Sequence, residues 1–232
     1  RKNENALRPL RRRFQFLFSD PRTALPPQNL VGEVMLEPLR VQQIGKPEEQ
    51  KVAVKQALRQ VGLNSLLLDR KLTSLSVGQR QRVALARALT LRPALIICDD
   101  PTRALPPGAA ESFFRLMADL RRKDGIAFIW LVSQFQPAAS LADRLGILLQ
   151  GWLVELGEAG SVLNAPQHPY TRQWLEQSAQ TTGPSGLARS ASKDSKQPTH
   201  YSKGKGCPFQ AACPHVKAVC REQPPPMLTT PA

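Results

Sequence analysis

Nowhere in the sequence does an apolar run reach the roughly 18 residues that a helix needs to cross a bilayer. A charged n-region, an apolar h-region and a small-residue cleavage site are missing as well, so the expectation is a cytosolic rather than a secreted chain. Acid is in short supply: 18 Asp and Glu stand against 32 Lys and Arg, a net charge of +14. That excess fits an anionic partner such as nucleic acid, nucleotide or a membrane face, and fits equally a solvated basic surface. No nucleic acid is expected as partner, because the charge comes without aromatic-interleaved basic motifs or zinc-finger spacing. Only four cysteines occur, three of them between positions 207 and 220, which argues against a disulfide framework in that compartment. Internal repeats are absent. So is GxxxxGK[ST], the loop whose backbone wraps phosphates and whose lysine neutralises them.

What is present reads as alternating strands and helices. Arg1 to Arg13 is basic and loop-like. Phe14 to Phe18, FQFLF, fits a buried strand that breaks at Ser19-Asp20-Pro21 and Pro26-Pro27. Val31 to Val41 has helical spacing, and Lys46-Pro47-Glu48-Glu49 opens a second helix to about Val61, with Gly62 as its stop. Leu72 to Leu89 starts with small residues and runs into a strong helix pattern, and Leu95 to Thr102, LIICDDPT, is an apolar strand ending in two acids. Gly108 to Lys123 is an amphipathic helix closed by Gly125, and Ile126 to Val132 has the continuous apolar character of a fully buried strand. A short helix over Pro137 to Asp143, a hairpin of Leu145–Leu149 and Trp152–Leu156, and short helices at Glu158–Asn164 and Tyr170–Gln177 complete the pattern. The sum is an α/β fold with a mainly parallel sheet and a helical insertion at Val31 to Leu68.

Two stretches carry the chemistry. In Leu75-Ser76-Val77-Gly78-Gln79 a helix begins, and its unpaired amides and partial positive charge attract phosphate. Ser76 is placed to cap the helix or touch a phosphate oxygen, Gly78 admits close approach, and Arg80, Arg82 and Arg87 add charge nearby. The same residues also suit an ordinary capped basic helix. In Leu95 to Thr102, Asp99 is placed to hold Mg²⁺ and Asp100 to orient water; an Asp-Pro turn after a strand is the plainer alternative.

Taken together, SLSVGQRQRVALARAL and RPALIICDDPT resemble the signature helix and Walker B strand of ABC-type ATPases. Phe14 to Leu39 is similar to the Q-loop region of the subgroup that powers dipeptide, oligopeptide and nickel importers. Gln167-His168-Pro169-Tyr170-Thr171 and the Cys-Pro tail resemble that subgroup's C-terminal extension. The resemblance implies an incomplete P-loop NTPase (RecA-like) core with a helical subdomain and that extension. Its segments are a partial ABC ATPase domain over 1–160 (Q-loop and helical insertion 14–90, Walker B to H-loop core 91–160), extension helices 161–180, a linker 181–205 and a Cys-containing tail 206–232.

By the same resemblance, Ser76, Gly78 and Gln79 contact the γ-phosphate of ATP held by an opposite subunit, and Asp99 supports Mg²⁺. Several positions depart from the family. Val77 replaces the first signature glycine, Asp100 the catalytic glutamate, Ser19 the Q-loop glutamine, and Ser133 the switch histidine (Gln134 if the register slips by one). Arg103-Ala104-Leu105-Pro106 stands where Ser-Ala-Leu-Asp is usual. These changes and the missing phosphate loop imply part of a longer protein or a reduced copy, with weak or no turnover alone. A non-catalytic module docking on a permease or partner ATPase is the alternative. The implied partners are a second ABC ATPase subunit, identical or not, transmembrane permease subunits and, indirectly, a solute-binding protein. The implied location is the cytoplasmic face of a bacterial inner membrane. Cys207, Cys213 and Cys220 have C-x5-C-x6-C spacing, which the family tail associates with an iron–sulfur cluster; three free thiols are the alternative. Cys98 is expected to be a small buried apolar residue, and His168 part of a helix start.

Overall fold

The computed structural model describes residues 4–21, 25–133, 138–181 and 206–223. Two compact units divide the chain, 1–141 and 142–232.

The first unit is built on three parallel strands in the order β1 (Phe14–Leu17), β2 (Leu95–Asp99), β3 (Ala127–Leu131). Pairing runs Leu17↔Cys98↔Trp130 on one face and Phe16↔Ile97↔Ile129 on the other. The first face is the buried one: Leu17, Ile96 and Cys98 lie in the main core with Phe113, Phe114 and Met117. Those last three come from helix α5 (Pro107–Asp124), and the Phe114 ring meets Trp130 edge-on at 5.3 Å between centroids. Gly125 ends α5 with φ 68, the left-handed turn expected there.

The opposite face corrects two sequence expectations. Neither Phe14–Phe18 nor Ile126–Val132 is fully buried, since Phe16 is 53 % and Ile129 49 % exposed. Among the described residues no second layer covers that face, although parallel sheets are ordinarily covered on both. A third correction concerns the N-terminus: Glu4–Arg13 is a helix, α1, rather than a loop. Its Glu, Ala, Leu and Arg residues are strong helix formers. It leads directly into β1, and its last residue accepts a hydrogen bond from the Ala94 amide at 2.8 Å.

The helical insertion folds as expected. Helix α2 (Val31–Val41) buries Val31, Val34, Met35 and Leu39, and α3 (Pro47–Gln60) buries Val54, Ala57 and Leu58. Each N-terminus is closed by an acid in its first turn, Glu33 accepting from the Leu30 amide at 3.0 Å and Glu49 from Lys46 at 2.8 Å. Two short 3-10 turns, Ser65–Asp69 and Leu72–Ser74, lead into α4 (Val77–Leu89), which buries Gln81, Val83, Leu85 and Leu89.

In the second unit β4 (Arg144–Leu149) and β5 (Trp152–Glu158) form an antiparallel hairpin about Gln150-Gly151. Helices α6 (Ala159–Asn164) and α7 (Pro169–Thr181) follow, and a tail segment ends in one short helix, α8 (Val219–Glu222). The helix expected over Pro137–Asp143 is one 3-10 turn, Ala138–Ser140, in the first unit. The expected linker lies outside the described residues beyond its first residue, Thr181. None of the described helices is long and apolar enough to cross a membrane.

Candidate functional site

Helix α4 starts with a reciprocal cap. Ser76 Oγ accepts from the Gln79 amide at 3.2 Å, and Gln79 Oε1 accepts from the Ser76 amide at 2.9 Å. Both side chains therefore hold the helix end in shape rather than reaching outward. Gly78 does neither. A Cβ built there would touch only Leu105 Cδ2 at 3.9 Å, and its φ is not positive, so this chain's own packing does not require glycine. A missing side chain that the fold does not need leaves room for something to come close. Val77 beside it is 37 % exposed.

The three arginines expected to add charge separate into different tasks. Arg82 donates to the Val61 carbonyl at 2.7 Å and to Ser112 Oγ at 3.0 Å, tying α4 to α3 and α5. Arg87 pairs with Glu37 of α2 at 2.9 Å. Only Arg80 stays with the helix tip. It lines a cleft of about 560 Å³ together with Ser19, Asp20, Val77, Arg103 and Ala104.

That cleft brings the Ser19 turn, the signature helix and the loop after β2 together. The tie between its first two walls was not foreseen from sequence. Gln81 is 1 % exposed, and its Nε2 donates to the carbonyl of Phe18 at 3.2 Å, across 63 positions. A glutamine on the apolar side of an amphipathic helix was the available signal, because a buried amide needs a partner.

At the C-terminal end of the sheet the structure places Asp99 and Asp100 side by side in the chain but in different states. The Asp99 residue is exposed at the end of β2. Asp100 turns away with φ 43, and its amide donates to the Leu131 carbonyl at 2.7 Å. Ser133 Oγ donates to Asp100 Oδ2, also at 2.7 Å. The two candidate catalytic residues therefore meet, but they meet each other. Gln134, the alternative switch position, lies outside the described residues. The loop beyond is closed by Arg103 N to Asp100 O at 3.1 Å and Leu105 N to Thr102 O at 2.9 Å. Cys98 is buried, and desolvation pushes its thiol up to about 12, which leaves it inert.

A separate group forms in the second unit. Cys207 and Phe209 are buried with Leu149, and Cys213, Cys220 and Tyr170 pack against them. Gly206 admits this fold of the tail, because a Cβ there would clash with the carbonyl oxygens of Cys220 and Arg221. Cys207 N donates to Cys220 O at 2.8 Å, and Cys207 Sγ lies 3.9 Å from His168 Nε2. His168 Nδ1 accepts from the Tyr170 amide at 3.1 Å, consistent with its expected place at a helix start and leaving the neutral ring's proton on Nε2. Glu155, unnoticed in the sequence, accepts from the amides of Gln167 at 2.8 Å and His168 at 3.0 Å. Burial lowers the His168 pKa, with Glu155 opposing, and burial raises that of Cys207. Among the described residues no three His, Cys, Asp or Glu side chains converge to hold a metal ion. Cys207, Cys213 and Cys220 alone fall short of the four thiolates of a closed iron–sulfur cluster, and the remaining cysteine, Cys98, is buried in the core of the first unit.

A parallel sheet with a capped helix start and acids at the strand end fits the ATP-binding cassette class. A family model described as ABC transporter matches residues 2–103, and one described as oligopeptide/dipeptide transporter, C-terminal region, matches residues 154–220. Over 222 residues the chain is 33% identical to a peptide import ATP-binding protein of Brucella abortus (strain 2308), covering 96% of this chain and 66% of that one. It is 31% identical over 214 residues to a protein of the same description from Brucella ovis, covering 92% and 67%. Among solved structures it is similar to cbiO1 of Clostridium perfringens, part of the ABC transporter complex cbiONQ. There the TM-score is 0.63 at 24% identity, covering 70% of this chain and 64% of that one. The ATP-binding cassette MJ0796, solved as a dimer in a post-hydrolysis state with ADP and Pi, matches with TM-score 0.58 and 27% identity, covering 68% of each.

The chain belongs to the ABC transporter ATP-binding family. It spans 66% of the length of the Brucella abortus relative.

Proposed function

We propose that this chain is an ATP-binding subunit of a bacterial ABC importer of peptides or similar small solutes, working as one member of a cassette pair. A second cassette that carries a phosphate loop, a motif these 232 residues do not contain, supplies the bound nucleotide. The observation that carries this reading is the contrast at Gly78 and Asp100. The glycine opens the tip of α4 to an incoming phosphate, while the local carboxylate is held by Ser133 at 2.7 Å. The capped helix start, with Ser76, Gly78 and Gln79, would face the γ-phosphate of the partner's ATP. Asp99 is the residue placed to support Mg²⁺, which supplies charge neutralisation when bound. Asp100, shorter than the family's glutamate by a methylene and already hydrogen-bonded, positions water poorly; small displacements of this kind cost large factors in rate.

On this reading the insertion over α2 and α3 meets a membrane permease, the subunit lies at the cytoplasmic face of the inner membrane, and a solute-binding protein acts through the permease. The relatives described as peptide import proteins and the dimeric MJ0796 structure support it. The Asp100–Ser133 bond favours a subunit that closes around nucleotide without turning it over itself. The test is association with a peptide-import cassette that carries an intact phosphate loop, followed by sedimentation with and without ATP and Mg²⁺. The reading expects ATP to drive pairing and ADP not to; pairing that ignores nucleotide would overturn it.

A further inference from the structure

The thiols of Cys207, Cys213 and Cys220 have no task in nucleotide chemistry, yet the fold holds two of them together. Cys207 N donates to Cys220 O at 2.8 Å, and standard backbone dimensions then cap the separation of the two Cα atoms at about 6.7 Å. A disulfide accepts Cα separations up to roughly 6.8 Å. Both side chains enter one apolar cluster: Cys207 is buried beside Leu149 and Phe209, and Cys220, half-buried, packs against them. Burial raises the Cys207 pKa, and of the two thiols that add to that rise Cys220 acts ahead of Cys213. The close approach is built into the backbone, since only a glycine at 206 clears the Cys220 and Arg221 carbonyls.

We propose that Cys207 and Cys220 form a reversible disulfide, a redox site that a small-molecule disulfide closes and small thiols open. Cys220, the more accessible of the pair, attacks one sulfur of the small disulfide as its thiolate. That S–S bond breaks, a mixed disulfide forms on Cys220, and one small thiol leaves. Cys207 then gives up its proton and attacks the Cys220 sulfur, which forms the protein disulfide and releases the second small thiol. The protein loses two electrons and two protons, and the two leaving thiols take them up. The Nε2 proton of neutral His168 faces Cys207 Sγ at 3.9 Å, so a donor stands beside the thiolate that the second step needs. In a reducing compartment such a pair stays open until oxidant accumulates. The proposal does not rest on the pairing reading, because none of its residues belongs to α4 or β2.

Chain statistics point to other pairs, which makes the choice of pair diagnostic. Cys207 and Cys213 are six positions apart, Cys213 and Cys220 seven, and Cys207 and Cys220 thirteen. Loop closure costs more for a longer loop, so a flexible unfolded chain favours the two short bridges and only the fold selects the long one. The experiment equilibrates the reduced whole chain with a series of reduced and oxidised glutathione ratios, folded and in urea. Acid quench, alkylation and tandem mass spectrometry then map the linked cysteines. In the folded chain the Cys207–Cys220 link is expected to exceed each other link by about tenfold or more, and in urea that preference should vanish. Added thiol should reopen the link. Cys213→Ser should leave it intact, whereas Cys220→Ser should leave Cys207 without an intramolecular bridge. Cys98, buried in the first unit, should stay unlinked in the folded chain. A dominant link through Cys213, the same link pattern folded and in urea, or no disulfide at any glutathione ratio would each overturn the proposal.

Discussion

The tip of α4 and the end of β2 each carry candidate site residues, and their side chains are held in opposite ways. At the helix tip the polar side chains look inward, Ser76 and Gln79 capping each other, and the open position is a glycine. At the strand end the carboxylate that chemistry would use is turned at φ 43 and held by Ser133. On the proposed reading the first region admits a visitor, while the second is closed by its own hydrogen bond. A cassette can keep its role in gripping nucleotide while its own hydrolytic residues drift, because the two roles rest on different side chains.

The comparison breaks most sharply at Gly78. Gly78→Arg is expected to abolish ATP-driven pairing, a loss of a hundredfold or more, while the melting temperature moves by no more than about 3 °C. The side chain points into space that meets only Leu105. Sedimentation and a thermal melt on the same sample check both halves of that statement.

Gln81→Ala should be the most damaging for the fold. It strands the Phe18 carbonyl and opens a gap in a fully buried place, for a loss of about 1–3 kcal/mol by denaturant titration. Asp100→Glu sharpens the other side of the comparison. A longer side chain at φ 43 is less tolerated than Asp, so a loss of about 1 kcal/mol is expected, and restored hydrolysis is not. Asp100→Gly should be neutral or better for stability.

The smallest effect concerns the second unit. Burial holds the His168 pKa below its ordinary value of about 6.5. Between that lowered value and the ordinary one the unfolded chain binds more protons than the folded chain, so stability falls as pH falls through this window. His168→Gln should flatten the slope, read from unfolding at a series of pH values.

Much of this was legible in the residues. Helix α4, the acids after β2, the α2–α3 insertion and the hairpin all follow from periodicity and punctuation that no tertiary contact overrides. The failures share a cause. Phe14, Phe16, Ile129 and Leu131 were expected to be buried because apolar strands usually are, but a sequence run does not say whether a second layer is present to cover it. The basic residues of α1 suggested a loop, although charge does not oppose a helix when Ala, Leu and Glu are interleaved. Arg82 and Arg87 were expected to add positive charge near the helix start, but only three-dimensional packing shows that Ser112, Val61 and Glu37 already hold them. Asp100 and Ser133 were each identified singly; their mutual hydrogen bond spans 33 positions and has no local signal.

The central claim is that the α4 tip faces the phosphate loop of another cassette. Val77→Cys in this chain and a cysteine placed in the partner's phosphate loop test it directly, with mass spectrometry identifying the cross-linked peptides. The account predicts a Val77→Cys cross-link that forms with ATP and Mg²⁺ and not without them, and none from Val52→Cys on the exposed side of α3. Equal cross-linking from both positions, or a yield indifferent to ATP, would contradict it.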